Sequence, residues 1–371
     1  MELRRRLATD RRAIVAAWGG GRPLGRVLEV RSGLSDPHDS GRTVAIVRFA
    51  SGLRVVYKPR PVGLEAAFHR LVAWWNERAG RLTLFAPDVV DRGAYGWMEF
   101  VTHEACIHHE AASRYWERAG ALIALADLLD ATDLHHGNVI AHGEDPVLVD
   151  LETLLQPRRP SEERSLLSTG LVPAWIRGPD GGSYDVSGFG AIAPQRYKGA
   201  TVPVRENVVR VGTDIVSAAE FADQVETGFL RAGALLCEHR EDLVAPGGPL
   251  QGFRGLEVRV MLRHTETYRA AMEDESALGA MTAAERAALR RGDIPRFVAS
   301  TDASHAALIA RVNRLEPARY EEQARLLRTA LALWSLGGAL LVQQHHEDEI
   351  KNGGTQKKKQ DKRAHVGSIL L

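Results

Sequence analysis

The chain has 371 residues, of which 44% are hydrophobic, so its length and composition allow two or three lobes around a sizeable core. Lys and Arg total 48 against 47 Asp and Glu, and this balance argues against the strongly basic class of nucleic-acid-binding proteins. The two cysteines lie far apart and no apolar run is long enough for a bilayer, so we expect a cytoplasmic protein with neither a disulfide framework nor a membrane span.

The first elements along the chain predict a β-rich lobe. Residues 1–24 are expected to form a short helix and a Gly-rich turn, and residues 25–105 the lobe itself. Within the lobe, β-rich runs at 43–49 and 53–58 flank Ala50-Ser51-Gly52, a pattern that predicts a hairpin.

Lys58 ends the second strand of this hairpin and is a candidate cation for nucleotide phosphates. Glu65 follows in a stretch whose apolar stripe, from Leu64 to Trp75, predicts a helix. Two interpretations of Glu65 stay open, an ion pair with Lys58 and a position on the protein surface. Residues 95–101 predict a strand that would line an adenine pocket and carry Glu99.

Residues 106–343 predict a mostly helical lobe. Apolar spacing indicates a buried helix over 114–129 and a strongly helical region over 305–342. Residues 156–205 are rich in Pro, Gly, Ser and Arg, so we expect a long irregular insertion that could bind peptide or fold over a cleft. The polar segment 344–371 cannot build a packed core and is predicted to be a disordered tail.

The segment between these helical regions contains three polar side chains in the order that phosphoryl transfer requires. In kinases an Asp accepts the proton of the substrate hydroxyl, an Asn shortly after it binds Mg²⁺, and a second Asp beyond a short hairpin binds metal and phosphates. Asp133, Asn138 and Asp150 match this pattern, and β-rich runs around His-Gly-Glu-Asp predict the hairpin. The alternative is a polar helix cap followed by an ordinary hairpin.

A second group of polar residues suits the departure of a phosphate. Residues 257–263 alternate as in a strand that directs Arg259 and Arg263 to one side, and Thr265 continues that face if the strand persists. The guanidinium fork suits a phosphate dianion, and His38 titrates near neutrality, as a base for a weakly acidic α-proton should. The alternative is an exposed strand with solvated arginines.

Several short sequence blocks occur in a fixed order along the chain. Together they identify a protein family far more specifically than any single block does. They run, in chain order, over residues 34–38, 41–43, 57–60, 95–100, 133–138, 146–154, 259–268 and 292–297. In these blocks the chain resembles the dehydratase domain of class II lanthipeptide synthetases.

That family uses ATP and Mg²⁺ to phosphorylate Ser and Thr of a ribosomally made precursor peptide, and then eliminates phosphate to give dehydroalanine and dehydrobutyrine. The resemblance therefore implies ATP and Mg²⁺ as cofactors, a precursor peptide as partner, and a kinase-like bilobal α+β fold. The residues at the family's phosphorylation positions are Lys58, Asp133, His135, Asn138 and Asp150.

Further matched positions belong to the elimination step of that family. They are Asp36, His38, Arg259 and Thr265. Arg263 and Glu152 also fit the family pattern, and we expect Glu152 beside Asn138 and Asp150 at the metal.

The chain also departs from the family, whose members usually carry a longer N-terminal helical region and a C-terminal zinc-dependent cyclase. No Cys and His ligand set follows residue 265, so ring closure is not expected and a separate cyclase would be a further partner. Two alternatives stay open. One is a small-molecule phosphotransferase of the aminoglycoside-kinase type, which leaves the Arg259 strand unexplained, and the other is an inactive peptide-binding fragment of a synthetase.

Overall fold

A five-stranded antiparallel sheet lies beside a larger group of helices, so the α+β class expected from the sequence is confirmed. The computed structural model describes residues 2–157, 165–172, 175–177, 183–190, 196–197, 200–201, 205–263, 265–273 and 275–332. The expected tail at 344–371 lies outside the described residues, as does part of the expected insertion at 156–205. Among the helices in those ranges, none is both long and apolar enough to cross a membrane.

The sheet is built from five short strands. They are β1 Val27–Ser32, β2 Ala45–Phe49, β3 Arg54–Lys58, β4 Val89–Asp91 and β5 Gly96–Glu99. Their spatial order is β1-β2-β3-β5-β4, and every neighbouring pair is antiparallel. The expected hairpin is therefore confirmed as β2 and β3, and the expected strand at 95–101 is β5.

Helix α1, Glu2–Trp18, covers one face of the sheet. Its buried Ile14 packs among the apolar side chains of the strands. Asp10 is 2% exposed, and its carboxylate accepts hydrogen bonds from Tyr95 Oη at 2.7 Å and Trp97 Nε1 at 2.9 Å. Because a buried carboxylate is costly unless its hydrogen bonds are made, these contacts fix how α1 sits on the sheet.

Helix α2, Gly63–Asn76, follows β3 and buries the apolar stripe expected from the sequence. Alternation along β3 directs Val55 and Tyr57 into the core under α1, since successive side chains of a strand point to opposite faces. Lys58 ends the strand on the other face, beside α2, and is itself buried at 3% exposure. A buried lysine needs a partner, so this placement points to a nearby carboxylate.

Helices α3, His109–Leu128, and α4, Ala222–Glu238, pack closely in the core. A Cβ on Gly120 would lie 2.0 Å from the α4 backbone, and one on Gly228 would lie 1.7 Å from the α3 backbone. Only glycine permits this approach. The buried helix expected over 114–129 is confirmed as α3, with an earlier start, and its C-terminus leads into the loop that carries Asp133.

The expected hairpin after this loop is confirmed as β6, Val139–His142, and β7, Asp145–Leu148. Its turn contains Gly143 at φ 58°, a left-handed conformation that glycine adopts without strain. Asn138 immediately precedes β6, and Asp150 follows shortly after β7. Both side chains therefore start from the open end of one hairpin.

Further short strands pair as antiparallel ladders. They are β8 Trp175–Arg177 with β9 Ser183–Asp185, β10 Arg196–Tyr197 with β11 Ala200–Thr201, and β12 Arg210–Val211 with β13 Asp214–Ile215. The C-terminal part contains α5 Arg240–Val244, β14 Glu257–Val260, α6 Thr265–Glu273, α7 Ala283–Arg290, β15 Phe297–Ser300, α8 Asp302–Val312 and α9 at residues 317–332. Strands β14 and β15 pair with each other, and α6 and α7 lie between them in sequence.

The strand expected over 257–263 ends at Val260, and Thr265 instead begins helix α6. The register with β15 explains the early end. Val260 pairs with Phe297, so Leu262 would have to face Pro295, which has no N–H to donate. The strand therefore does not persist, and the condition under which Thr265 would continue the Arg259 face is not met.

Candidate functional site

Lys58 and Glu65 form a buried ion pair between the sheet and α2. Lys58 Nζ lies 3.1 Å from Glu65 Oε1, and the two side chains are 3% and 4% exposed. Lys58 Nζ also donates to the Val149 carbonyl at 2.6 Å and lies 3.9 Å from Asp150 Oδ1. Of the two interpretations of Glu65, the ion pair is confirmed and the surface position is wrong.

Arg60 completes this cluster, although its sequence context assigned it no role. Its guanidinium contacts Glu65 Oε1 at 2.7 Å, Asp150 Oδ1, and Glu152 Oε2 at 3.1 Å. Burial alone would raise the pKa of Asp150, but the charges of Arg60 and Lys58 outweigh burial and hold it well below its usual range. The sequence did contain a signal for this role of Arg60. Several acidic residues lie near the open end of the β6–β7 hairpin, and they need a positively charged neighbour.

Asp133 sits in a strained turn beside this cluster. Its φ of 60° is in the left-handed region, which Asp tolerates better than most residues. Asn138 Nδ2 donates to the Asp133 carbonyl at 2.8 Å, and the Val149 amide donates to the Asn138 carbonyl at 3.0 Å. Burial raises the pKa of the Asp133 carboxyl, and nearby Asp150 raises it further, although neighbouring positive charge opposes both. A raised pKa makes Asp133 a better proton acceptor.

Two adjacent histidines border Asp133. His135 Nδ1 accepts a hydrogen bond from the Gly137 amide at 3.0 Å, and His135 is close enough to influence the pKa of Asp133. Burial, with the charges of Arg205 and His135, lowers the pKa of His136 to about 3. His136 is therefore a neutral side chain at physiological pH.

Glu152 joins the hairpin to strand β14. Its Oε1 lies 2.7 Å from Arg259 Nη1, and its carbonyl accepts a hydrogen bond from the Arg259 amide at 2.7 Å. Its Oε2 faces Arg60 at 3.1 Å and Arg296 Nε at 3.7 Å. Since Asp150 is only two residues away, one short segment contacts both groups of residues that the sequence singled out.

His38 is close enough to Arg259 for the guanidinium charge to act on its ring. Its Nδ1 is 2.7 Å from the Ile294 carbonyl, and burial together with the charge of Arg259 lowers its pKa. Asp36 pairs with Arg269 Nη2 at 2.8 Å. Arg259 also influences the pKa of Asp133, so the structure brings His38, Arg259 and Asp133 to one region.

Arg263 has partners different from those of Arg259. Its Nε contacts Glu285 Oε1 at 2.8 Å, and its Nη2 donates to the Ala280 carbonyl at 2.8 Å. Burial would raise the pKa of Glu285, but hydrogen bonds from the Thr282 amide and Arg263 lower it to about 2. The expectation that both arginines share one strand face is wrong, because β14 ends before Arg263.

Glu99 lies farther from the cluster. It pairs with Val55 in the sheet, whereas Lys58 pairs with Gly96 at the opposite end of the same ladder. Its carboxylate accepts a hydrogen bond from the Asp88 amide at 3.3 Å.

The oxygen atoms near Asp150 have the chemistry that Mg²⁺ prefers. Asp150, Glu152 and Asn138 supply two carboxylates and an amide, which are hard ligands. Glu65 Oε2 and Glu152 Oε2 are buried without a directed hydrogen bond in the described ranges. In the same ranges, no set of three or more His, Cys, Asp and Glu side chains is arranged around a common metal position. These groups are of the types that Mg²⁺ accepts, whereas the described carboxylates do not form a preformed cluster around one position.

Comparisons with known proteins place these observations in a family. The family model described as Domain of unknown function (DUF4135) matches residues 1–278. A curated relative, the lacticin 481/lactococcin biosynthesis protein LcnDR2 of Lactococcus lactis subsp. lactis, is 28% identical over 143 residues. This stretch covers 35% of the chain and 15% of that relative. The chain belongs to the DUF4135 family and is a class II lanthipeptide synthetase-like protein.

Proposed function

We propose that the chain acts in lantibiotic biosynthesis, by ATP-dependent dehydration of Ser and Thr in a precursor peptide. The observation that carries the proposal is the continuous ion-pair network from Lys58 through Asp150 and Arg60 to Glu152 and Arg259. In such a network Arg259, which pairs with Glu152, would be available to bind a phosphate that leaves after transfer. An enzyme that first adds and then removes phosphate needs both groups in one cleft.

The fold that suits this function is a kinase-like bilobal one. The β-rich lobe at 25–105 would hold the nucleotide phosphates through Lys58, which its pairing with Glu65 orients. The helical lobe at 106–343 would hold the peptide and the metal, and 1–24 would brace the sheet. Glu99 would lie at the adenine end of the cleft.

In the first step, Asp133 accepts the proton of the peptide hydroxyl as its oxygen attacks the γ-phosphorus of ATP, and ADP leaves. The raised pKa of Asp133 suits that role. Asn138, Asp150 and Glu152 would hold Mg²⁺, which when bound neutralises charge on the phosphates. His135 borders Asp133 and helps to orient it.

In the second step, the phosphorylated side chain loses phosphate. His38 takes the α-proton, the C–H electron pair forms the Cα=Cβ bond, and the phosphate leaves with the electrons of the Cβ–O bond. Arg259 stabilises the charge of the leaving phosphate, and Glu152 orients Arg259. Asp36, Thr265 and Arg263 would assist this step, as their family positions imply. A separate cyclase would then use the dehydrated peptide.

A mass spectrum of a Ser/Thr-rich precursor peptide, incubated with the chain, ATP and Mg²⁺, tests the proposal. We expect loss of one water per modified residue. A gain of one phosphoryl group without water loss would leave only the kinase half, and an unchanged peptide would contradict dehydration. ATP turnover with a small-molecule alcohol but not with peptide would support the phosphotransferase alternative.

A further inference from the structure

The turn that presents His38 adopts an unusual backbone conformation. Asp39, Ser40 and Gly41 have φ values of 47°, 76° and 78°, all in the left-handed region. Two of these three residues are not glycine, so the conformation needs support from its surroundings. Backbone hydrogen bonds between His38 and Arg42, at 3.0 and 2.8 Å, close the turn.

The support comes from Asp293, which is distant in sequence and 1% exposed. Its Oδ2 accepts the Ser40 amide at 2.9 Å, and its Oδ1 accepts the Gly41 amide at 2.7 Å. Both oxygens of one buried carboxylate thus bind the two amides that the left-handed turn exposes. Two charge-assisted hydrogen bonds of this kind are strong enough to select one turn conformation.

Ile294, the next residue, determines the state of the His38 ring. Its amide donates to the Pro37 carbonyl at 2.8 Å, and its carbonyl lies 2.7 Å from His38 Nδ1. A carbonyl can only accept, so Nδ1 must carry the hydrogen. In the neutral imidazole, Nε2 then holds the free lone pair.

Charged groups from several elements surround this ring. Arg259 of β14 and Glu152 after β7 both influence the titration of His38, and so does Asp36 in the same loop. Asp36 is paired with Arg269 of α6. Burial and Arg259 favour the neutral ring, whereas Glu152 and Asp36 oppose them.

We infer that Asp293 is a positioning residue for the elimination step: by holding the 38–42 turn against Ile294, it keeps His38 in the Nδ1–H tautomer with Nε2 open to the substrate α-proton. The inference rests on the proposed function. Asp293 touches neither substrate nor phosphate. It acts through the direction and tautomer of His38.

The test measures the tautomer of His38 and the rates of the two chemical steps separately. In the ¹⁵N-histidine-labelled chain, the His38 signals are identified among 14 histidines by their loss in His38→Gln. We expect Nδ1–H shifts in the parent and a tautomer mixture in Asp293→Ala. On a synthetic phosphoserine peptide, elimination by Asp293→Ala should fall on the order of 10- to 100-fold, while phosphorylation of the unmodified peptide stays near the parent rate.

Other variants keep the test decisive if Asp293→Ala folds poorly. Gly41→Ala strains the same turn without touching the carboxylate, so it should shift the tautomer and slow elimination in the same direction. Asp293→Asn keeps one acceptor and should recover part of the rate. Asp302→Ala changes an Asp whose side chain is 60% exposed and should match the parent.

Parent-like tautomer and elimination in both Asp293→Ala and Gly41→Ala would overturn the inference, as would equal loss of both chemical steps with an unchanged tautomer. If the parent chain leaves every peptide unmodified, the proposed function fails instead. The His38 signals would then still decide whether Asp293 sets the tautomer.

Discussion

Two neighbouring parts of the site hold their functional groups by different forces. The ion-pair cluster consists of Lys58, Arg60, Glu65 and Asp150, and the backbone-held cluster consists of His38, Asp293 and Ile294. In the first, each charged side chain faces an opposite charge. In the second, carbonyl and amide groups of the main chain make the decisive contacts.

This difference indicates how each cluster responds when another ion binds nearby. An ion-pair cluster can rearrange when another cation arrives, because the carboxylates then have a competing partner. A backbone-held cluster has fewer contacts for which a bound ion can compete, although Asp293 also lies 3.5 Å from Arg291 Nε. This suits a first step that must admit nucleotide and metal, followed by a second that needs a fixed neutral base.

The largest effect is expected at Asp133, beside the ion-pair cluster. Asp133→Asn removes the proton acceptor and should lower peptide phosphorylation by a factor on the order of 10² or more. Nucleotide binding, measured by calorimetry, should survive because Lys58 is untouched. Parent-like phosphorylation by Asp133→Asn would remove Asp133 from the mechanism.

Arg259→Ala should divide the two steps. We expect elimination to fall on the order of 10²-fold, with phosphopeptide accumulating, because Arg259 stabilises charge that develops only as phosphate leaves. Mass spectrometry over time follows both species. Arg254→Ala removes an arginine that precedes the same strand, with a side chain 73% exposed, and serves as the matched control. Equal loss of both steps in Arg259→Ala would instead indicate a structural role.

Glu152→Gln tests the junction between the clusters. Glu152 contacts Arg259 and Arg60, so its loss should slow both steps, each on the order of 10-fold. Separate assays with unmodified and phosphorylated peptide measure the two rates. A variant that slows only one step would show that Glu152 belongs to one cluster alone.

Arg60→Gln should destabilise the fold by about 3 kcal/mol, because it removes a counter-ion that Glu65, Asp150 and Glu152 share. Arg48→Gln, which breaks an exposed pair with Glu29 at 3.1 Å, should cost about 1 kcal/mol or less. Thermal unfolding with Mg²⁺ or with a chelator checks both. Mg²⁺ should stabilise Arg60→Gln more than the parent, since the freed carboxylates can take a divalent cation. Similar costs for the two variants would contradict a dominant ion-pair cluster.

The smallest effect concerns pH. The pKa of His136 is lowered from 6.5 to about 3, so below pH 6.5 the unfolded chain binds a proton that the folded chain does not. The stability contribution is therefore complete above pH 6.5 and declines as pH falls towards 3. His136→Gln should flatten the decline between pH 6.5 and about 5, a window above the carboxylate titrations. Chemical denaturation across that window measures it, and an unchanged slope would place His136 in solvent.

The sequence predicted those parts of the molecule that depend on local periodicity. Alternating β-rich runs identified the β2–β3 and β6–β7 hairpins, and an apolar stripe identified α3. The same local patterns predicted the positions of Asp133, Asn138 and Asp150, since a loop and one hairpin carry all three. The pairing of Lys58 with Glu65 was one of two interpretations that the sequence offered, because Lys58 ends a strand and Glu65 lies in the first turn of the next helix.

Other features depend on contacts between distant segments. The early end of β14 follows from Pro295, which precedes the partner strand β15 and which no pattern within 257–263 reveals. The inferred role of Asp293 depends on its hydrogen bonds with the amides of Ser40 and Gly41, which are distant in sequence. Arg60 lies near Lys58 in sequence, yet its partners include Asp150, which is 90 residues later in the chain.

The central claim is that one cleft contains separable machinery for adding and removing phosphate. A synthetic phosphoserine peptide bypasses the first step, and its mass after incubation with each variant, ADP and Mg²⁺ tests that claim directly. Asp133→Asn should convert it to the dehydrated peptide at close to the parent rate, whereas Arg259→Ala should leave it phosphorylated. Equal rates for the two variants, or conversion by Arg259→Ala alone, would contradict the account.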